Sequence, residues 1–336
     1  MKLYLTAAPS LEVVRYLRCI NGADGIGGAT MRKRALRDAI STVKRMEELD
    51  VMAQSWLSHV GNPVHAFVGD AAKETKTKRL YTHVLSGQVP HGACLDLGHD
   101  VCICSPCFAF MLLANQLDLL GLILVGMELC GTYSYWCTEA DYVKRSFLHE
   151  PREARGCVFE LPMATNVSRM RAFAERLKGF RGAPGARAAL RWVVDGSASP
   201  METAVYLLLC LPKRLGGYGL PKPVLNPKLI IDNPDGKKER YPDLFWRGRN
   251  IDVEYNSDAE HSGEWSRYRD SKREVELTVA NIKVLPLTRP QLMDVYEFDA
   301  FANGLRRMLG IRARGADPAW ISRRNELHRA LLRSWL

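Results

Sequence analysis

The chain has 336 residues, of which 47% are hydrophobic and 25% are charged. This length favours two domains, with three as the alternative, and the composition excludes a disordered chain, a collagen-like fibre and a coiled coil. Lysine and arginine total 47 against 37 aspartates and glutamates, which gives a formal net charge of +10. Such an excess of positive charge favours a polyanionic partner, although basic proteins without one are common.

The N-terminal region shows no sign of a secretory or membrane segment. Glu12 and Arg15 interrupt what would have to be the apolar part of a signal peptide. The most apolar stretch, residues 108–125, contains Asp118 and two amide side chains, which favours a buried helix over a membrane span. We therefore expect a cytoplasmic protein that does not bind membranes.

Nine cysteines occur in the chain, and an odd number without a signal peptide favours free thiols in a reducing compartment. Three of them, Cys102, Cys104 and Cys107, form a C-x-C-x2-C cluster. A zinc site needs four ligands, and no spacing here fixes the fourth one. We favour a buried strand as the role of this cluster and keep zinc as the alternative.

The two halves of the chain differ in how clearly their elements follow from the sequence. Short strand-like segments alternate with turns between residues 64 and 121, and a helix follows at about residue 168. Small-residue segments at 181–189 and 195–200 are candidates for a domain joint. We predict a mixed α/β N-terminal domain over residues 1–165 and a second domain over residues 166–336.

The second domain has the clearer order of elements. Ser199-Pro200-Met201-Glu202 carries an N-cap signal and opens an apolar helix. Three strands, a further helix and a last strand follow, separated by turns at 233–236 and 247–250. The predicted strands are VLNPKLIID, RYPDLFW and IDVEYN, the helix follows His261, and the last strand is IKVLPLT.

Carboxylates converge on two of these strands. Strand alternation in IDVEYN places Asp252, Glu254 and Asn256 on one face, opposite the apolar side chains. Asp243 lies on the neighbouring strand of a tight hairpin, so its carboxylate can approach that of Glu254. Two such carboxylates suit Mg²⁺ or Mn²⁺, and the alternative is an ordinary exposed hairpin.

Positive charge collects at the C-terminal end of the chain. From residue 301 to residue 336 there are eight arginines and only two acidic residues, Asp317 and Glu326. The final segment reads as a basic amphipathic helix. Arg323 and Arg324 are candidate phosphate contacts there, and a solvated helix face is the alternative.

The helix–strand–strand–strand–helix–strand order resembles the restriction-endonuclease-like core of the PD-(D/E)xK nuclease superfamily. Residues 241–287 are more closely similar to nuclease domains related to very-short-patch-repair endonucleases. The Ser199-Pro200-Met201-Glu202 helix start also matches the S-P-x-E opening of that family. The matching motifs are Pro242-Asp243-Leu244, then Val253-Glu254-Tyr255 with His261, and then Asp270, Arg273 and Leu277.

The resemblance implies a metal-dependent nucleic-acid phosphodiester hydrolase, a DNA endonuclease that uses Mg²⁺ or Mn²⁺. Asp243 and Glu254 would hold the metal together with the main-chain carbonyl of Tyr255. Glu202 would orient a ligand or a water molecule. His261 would act near the scissile phosphate.

The resemblance also implies a role on the helix that follows, where Lys272 or Arg273 would place a cation beside the phosphate. The positive charge of the same helix makes Arg267, Arg269 and Arg273 candidate contacts to nucleic acid. Asn256 stands where the family has an acidic residue, and the usual motif lysine is absent at this position. A catalytically inactive nuclease fold that binds nucleic acid, or acts as an antitoxin-like regulator, therefore remains the alternative.

The N-terminal half carries a weaker resemblance. Residues 83–133 resemble the region that precedes such nuclease-like domains in AbiEi-type proteins of toxin–antitoxin and phage-abortive systems. The resemblance implies a role in phage defence. It is compatible with a homodimer or with a partner protein of a defence system.

Overall fold

The computed structural model describes residues 1–21, 28–29, 33–85, 89–135, 156–177, 179–233, 236–256, 279–312 and 317–332. Helices and several small sheets alternate along the chain, so the fold is mixed α/β of the α+β kind. The chain divides into two compact units, Met1–Val193 and Val194–Leu336.

The N-terminal unit contains eight helices and eight strands among its described residues. The helices are α1 (Ala7–Asn21), α2 (Lys33–Arg37), α3 (Val43–Glu47), α4 (Val51–Ser58), α5 (Pro106–Leu113), α6 (Leu119–Leu129), α7 (Val167–Arg176) and α8 (Ala183–Leu190). The strands are β1 (Leu3–Tyr4), β2 (Gly28–Ala29), β3 (Val64–Val68), β4 (Leu80–Val84), β5 (Cys94–Asp96), β6 (Val101–Cys104), β7 (Ser134–Tyr135) and β8 (Cys157–Val158).

Among the described residues of this unit, the strands form three sheets. The largest has the order β1-β6-β5-β2, with β1 and β6 parallel and the other pairs antiparallel. Strands β3 and β4 form a parallel pair, and β7 and β8 an antiparallel one. The strand-like segments predicted between residues 64 and 106 are confirmed as β3, β4 and β6.

Helices α5 and α6 account for the apolar stretch that the sequence predicts as buried. Each helix has an N-cap residue whose side chain accepts a main-chain hydrogen bond. Ser105 accepts from the N–H of Phe108, and Asp118 accepts from the N–H of Gly121. Both helices are almost wholly apolar, and most of their residues are buried. No helix in the described part of the chain is long and apolar enough to cross a membrane.

The boundary between the units follows Val193, whereas the sequence predicts it after residue 165. Helices α7 and α8 belong to the N-terminal unit because their apolar faces pack there. The ring of Phe173 lies 6.1 Å from that of Phe108, and Met170 contacts Cys130. The boundary instead adjoins 195–200, one of the two joints that the sequence indicates.

The C-terminal unit contains four helices and six strands within the described ranges. The helices are α9 (Pro200–Cys210), α10 (Arg289–Met293), α11 (Val295–Met308) and α12 (Pro318–Leu332). The strands are β9 (Val224–Leu225), β10 (Leu229–Asn233), β11 (Gly236–Arg240), β12 (Leu244–Trp246), β13 (Ile251–Asn256) and β14 (Lys283–Thr288).

The main sheet of this unit has the order β14-β13-β12-β9. Strand β12 is antiparallel to both β9 and β13, whereas β14 runs parallel to β13. The predicted helix opening at Ser199 is confirmed, since the Ser199 hydroxyl accepts from the Glu202 main chain. The helix predicted after His261 falls largely on residues 257–278, outside the described residues.

The prediction of one strand over VLNPKLIID is wrong. Asn226 has a left-handed backbone with φ 45°, and Pro227 has no main-chain N–H to donate, so the strand divides there. Strand β9 joins the main sheet, while β10 forms a separate hairpin with β11. The central residues 234–235 of the turn predicted at 233–236 lie outside the described residues, and Asn233 and Gly236 on either side of them pair within this hairpin.

Candidate active site

The register of β12 and β13 brings Asp243 and Glu254 to facing positions. Leu244, the first residue of β12, pairs with Val253, and extending this antiparallel register by one residue aligns Asp243 with Glu254. Side chains at facing positions project from the same face of a sheet. The Asp243 carboxylate accepts a hydrogen bond from the main-chain N–H of Tyr255 at 2.9 Å, which fixes its orientation. Both acidic residues are half-buried.

Asp252 does not belong to a solvent-facing row of acidic side chains. It is 0% exposed, and the register aligns it with Phe245 on β12 and Val284 on β14. Phe245 forms a buried cluster with Ile282, to which Val284 also contributes. The sheet face that carries the carboxylates is therefore apolar and covered at Asp252. It becomes more open only toward the end of β13.

Asn256 is the last residue of β13 and is exposed. It pairs in register with Thr288, the last residue of β14. Its position, two residues after Glu254, puts it on the same face as that carboxylate. Along β13, the Asn256 amide is therefore the most exposed of the three polar side chains Asp252, Glu254 and Asn256.

Glu202 lies in the first turn of α9 and is 7% exposed. One carboxylate oxygen accepts hydrogen bonds from the main-chain N–H of Ala198 at 2.9 Å and from the Asn226 side-chain amide at 2.6 Å. Burial raises the pKa of Glu202 above its ordinary value, against the lowering effect of these two hydrogen bonds. This carboxyl is thereby biased toward its protonated form.

Asn226 connects Glu202 to Asp243, the residue that directly precedes β12. Its main-chain N–H donates to the carbonyl of Asp243 at 3.1 Å. Its side-chain amide donates to Glu202 and also to the carbonyl of Gly196 at 3.0 Å. Sequence reasoning missed this residue. The available signal was an asparagine before a proline, which is typical of a turn inside an apparent strand.

Several residues predicted for the site lie outside the described residues. They are His261, Lys272, Arg267, Arg269 and Arg273. Their proposed roles near the phosphate remain predictions.

The two arginines predicted on the C-terminal helix differ in their surroundings. Arg324 is 4% exposed, and its guanidinium donates to Asp299 and Asn325 and lies 5.6 Å from the ring centre of Trp320. The assignment of Arg324 as a phosphate contact needs correction, because this group links α12 to α11 inside the fold.

Arg323 is only half-buried. Its guanidinium donates to the carbonyl of Lys213 at 3.3 Å and lies 3.8 Å from the Asp317 carboxylate. The long distance and the exposure of both side chains make this a weak ion pair. Arg323 therefore keeps a partly exposed charge.

The acidic pair suits a hard divalent cation in part. Within the described ranges, no three His, Cys, Asp or Glu side chains are grouped so that they could hold a metal ion. Mg²⁺ commonly binds through one or two carboxylates and takes its other ligands from water and phosphate. Asp243 and Glu254 can supply that number.

Two of the three clustered cysteines lie on a buried strand, as the sequence predicts. Cys102 and Cys104 lie on β6 with 4% and 0% exposure, and Cys104 pairs with Cys94 across the sheet. The Cys107 thiol contacts the Thr165 hydroxyl at 3.4 Å. The three thiols thus have separate surroundings, and no zinc-type group forms among the residues that the structure describes.

Comparison with protein-family models, with curated proteins and with solved structures finds no match to this chain.

Proposed function

We propose that the protein is a metal-dependent nuclease that hydrolyses phosphodiester bonds in DNA. The proposal depends on Asp243, which directly precedes β12 and accepts a hydrogen bond from β13, and on Glu254, the neighbouring residue on β13. The helix α9 and the strand order β14-β13-β12-β9 are compatible with the nuclease core that the sequence resembles. The net charge of +10 suits a polyanionic substrate.

In this proposal Asp243 and Glu254 hold one Mg²⁺ or Mn²⁺ ion. A bound ion of this kind stabilises developing charge on a phosphate and lowers the pKa of a bound water molecule. The Tyr255 N–H keeps the Asp243 carboxylate in one orientation. Glu202 acts as a positioning residue, because it holds Asn226 and Asn226 holds the main chain at Asp243.

The test is cleavage of plasmid and of single-stranded DNA by the full chain, with Mg²⁺, with Mn²⁺ and without a divalent ion. We expect Mn²⁺- or Mg²⁺-dependent cleavage that falls at least about 100-fold in Asp243→Asn and Glu254→Gln. Both substitutions keep the shape of the side chain and remove its charge.

Glu239→Gln is the matched control, since Glu239 is an exposed carboxylate on β11 that pairs with Lys228. We expect this variant to cleave as the wild type does. Equal cleavage by the wild type and by Asp243→Asn would contradict the proposal and indicate a contaminating nuclease.

A second candidate function rests on Asn256, which is exposed at the end of β13 where the family has an acidic residue. In that case the protein binds nucleic acid without cleaving it, as an antitoxin-like regulator would. Electrophoretic mobility shifts with no cleavage under Mg²⁺ or Mn²⁺ would favour it. Gain of cleavage in Asn256→Asp would then show that this one side chain limits the site.

A further inference from the structure

The N-terminal unit contains a cavity of about 460 Å³ that the proposed nuclease site does not use. Residues of α1, α5, α7 and the segment 163–165 contribute to its wall. This volume is in the range of small-molecule sites in proteins.

The lining of the cavity is positively charged. It includes Arg18, Arg169 and Arg176 but no aspartate or glutamate. Arg18 is buried and donates to four main-chain carbonyls. Its charge is balanced nearby, because the neighbouring cluster holds Arg15 together with two buried glutamates. The excess charge therefore comes from Arg169 and Arg176.

Neither of these two arginines has an acidic partner among the described residues. Arg176 donates to the carbonyl of His91 at 3.3 Å, and its guanidinium stacks 4.9 Å from the ring centre of Phe173. Arg169 donates a hydrogen bond to the Asn166 side chain through its main-chain N–H, and this bond does not involve its guanidinium group. Two guanidinium groups thus remain available on one wall of the cavity.

The other polar groups in the wall are neutral. Cys107 and Thr165 face the cavity with a thiol and a hydroxyl 3.4 Å apart. Burial raises the pKa of Cys107 despite the opposing effect of the two arginines, so the thiol does not supply a compensating negative charge. The remaining wall is mostly apolar and includes Val14, Leu95 and Met163.

We propose that this cavity binds a phosphomonoester carried by a small organic molecule with an apolar or aromatic body. Arg169 and Arg176 would bind the phosphate, since guanidinium groups recognise phosphate oxygens with paired hydrogen bonds. The Thr165 hydroxyl would donate a further hydrogen bond, and Leu95 and Met163 would contact the body of the ligand. This site is independent of the proposed nuclease activity.

Isothermal titration calorimetry of the full chain tests this site, with inorganic phosphate, adenosine 5′-monophosphate and adenosine as probes. We expect the monophosphate to bind and adenosine to bind at least about 10-fold more weakly. Arg169→Gln and Arg176→Gln should each weaken binding by a similar factor. A 5′-phosphorylated oligonucleotide, compared with its 5′-hydroxyl form, distinguishes the end of a strand from a free mononucleotide.

Arg171→Gln is the matched control, because Arg171 lies on the same helix but donates to the carbonyl of Leu190 and does not line the cavity. It should bind like the wild type. Slower modification of Cys107 by N-ethylmaleimide in the presence of the monophosphate, read by mass spectrometry, would locate the ligand. Absence of binding by all the phosphate probes, or binding that Arg169→Gln and Arg176→Gln leave unchanged, would overturn the proposal.

Discussion

Two buried glutamates, one in each unit, differ in what holds them. Glu128 on α6 is 1% exposed and accepts two hydrogen bonds from the Arg15 guanidinium, at 2.8 and 2.5 Å. It also accepts from the Ser134 hydroxyl and the Tyr135 main chain. Glu202 is 7% exposed, and its hydrogen bonds come from neutral groups, the amides of Ala198 and Asn226 and the side chain of Ser199.

The two environments shift the pKa of the two carboxyl groups in opposite directions. Burial opposes ionisation of both groups. For Glu128 the charge of Arg15 and its hydrogen bonds overcome burial, and the pKa is lowered. For Glu202 burial outweighs the hydrogen bonds, and the pKa is raised. A cation within contact distance therefore decides whether a buried glutamate is a fixed ion or a group that can take up a proton.

Removal of the cation should have the largest effect. Arg15→Met leaves Glu12 and Glu128 buried without the guanidinium that both contact. We expect a loss of about 3–5 kcal/mol in the free energy of unfolding, because a buried charge that loses its partner is not compensated. Urea denaturation followed by circular dichroism measures this loss.

The control for that variant is Arg45→Met, which breaks the exposed Arg45–Glu48 pair. Exposed ion pairs contribute about 0–1 kcal/mol, so this variant should unfold close to the wild type. Similar losses in the two variants would show that burial of the Arg15 cluster adds nothing.

Replacing each glutamate by glutamine should have the next largest effect, and the loss of stability should differ between the two sites. Glu128→Gln removes a charge that Arg15 requires, and we expect a loss of about 2–3 kcal/mol. Glu202→Gln keeps an acceptor for its amide donors and resembles the protonated acid. We expect it to change stability by less than about 1 kcal/mol. The same urea titration checks both, and an equal loss in the two variants would contradict the comparison.

Asn226 offers a finer test of the neutral environment. Asn226→Gly removes the amide that donates to Glu202 and Gly196 but tolerates the left-handed backbone, so we expect a loss of about 1 kcal/mol. Asn226→Ala removes the same amide and also places a Cβ on a left-handed backbone with φ 45°, so we expect it to be about 1 kcal/mol less stable than Asn226→Gly. Thermal unfolding of both variants gives the difference, and an Ala variant as stable as the Gly variant would exclude backbone strain.

The smallest expected effect is the change of stability with pH. The contributions of the two glutamates to the free energy of unfolding should change in opposite directions as the pH rises. The folded pKa of Glu128 lies below its ordinary value of 4.5, so its contribution is present above pH 4.5 and is lost as the pH falls through the folded pKa. The folded pKa of Glu202 lies above 4.5, so its contribution is present below pH 4.5 and is lost as the pH rises through the folded value.

Unfolding free energies of the wild type, Glu128→Gln and Glu202→Gln, measured from about pH 3 to about pH 8, show both signs. Glu128→Gln should flatten the loss of stability in acid. Glu202→Gln should remove a loss that sets in above pH 4.5. The same sign of change in both variants would refute the comparison.

Local patterns predicted much of the second unit. The N-cap at Ser199, the turn at 247–250 and the strand β13 all follow from neighbouring residues, and the structure has each of them. The antiparallel pairing of β12 with β13 followed from the tight turn between them. Such features need only short-range geometry.

Features that depend on distant contacts were not predictable. The alternation could not show that Ile282 and Phe245 cover the face at Asp252, or that Asp299 binds Arg324 inside the fold. His65 and His83 likewise meet only because β3 and β4 pair in parallel, with ring nitrogens 2.8 Å apart. The pattern of residues within one segment does not show which distant segment packs against it.

The end of the N-terminal unit at Val193 has a practical consequence for dissecting the protein. A cut at residue 165 would move α7 and α8 away from α5 and α6, and Met170, Phe173 and Leu190 would face water. Exposed apolar faces of this kind promote aggregation. A cut after Val193 keeps α7 and α8 with their packing partners and keeps Gly196, Ala198 and Asn226 with Glu202. It is therefore the division that leaves these contacts intact within each half.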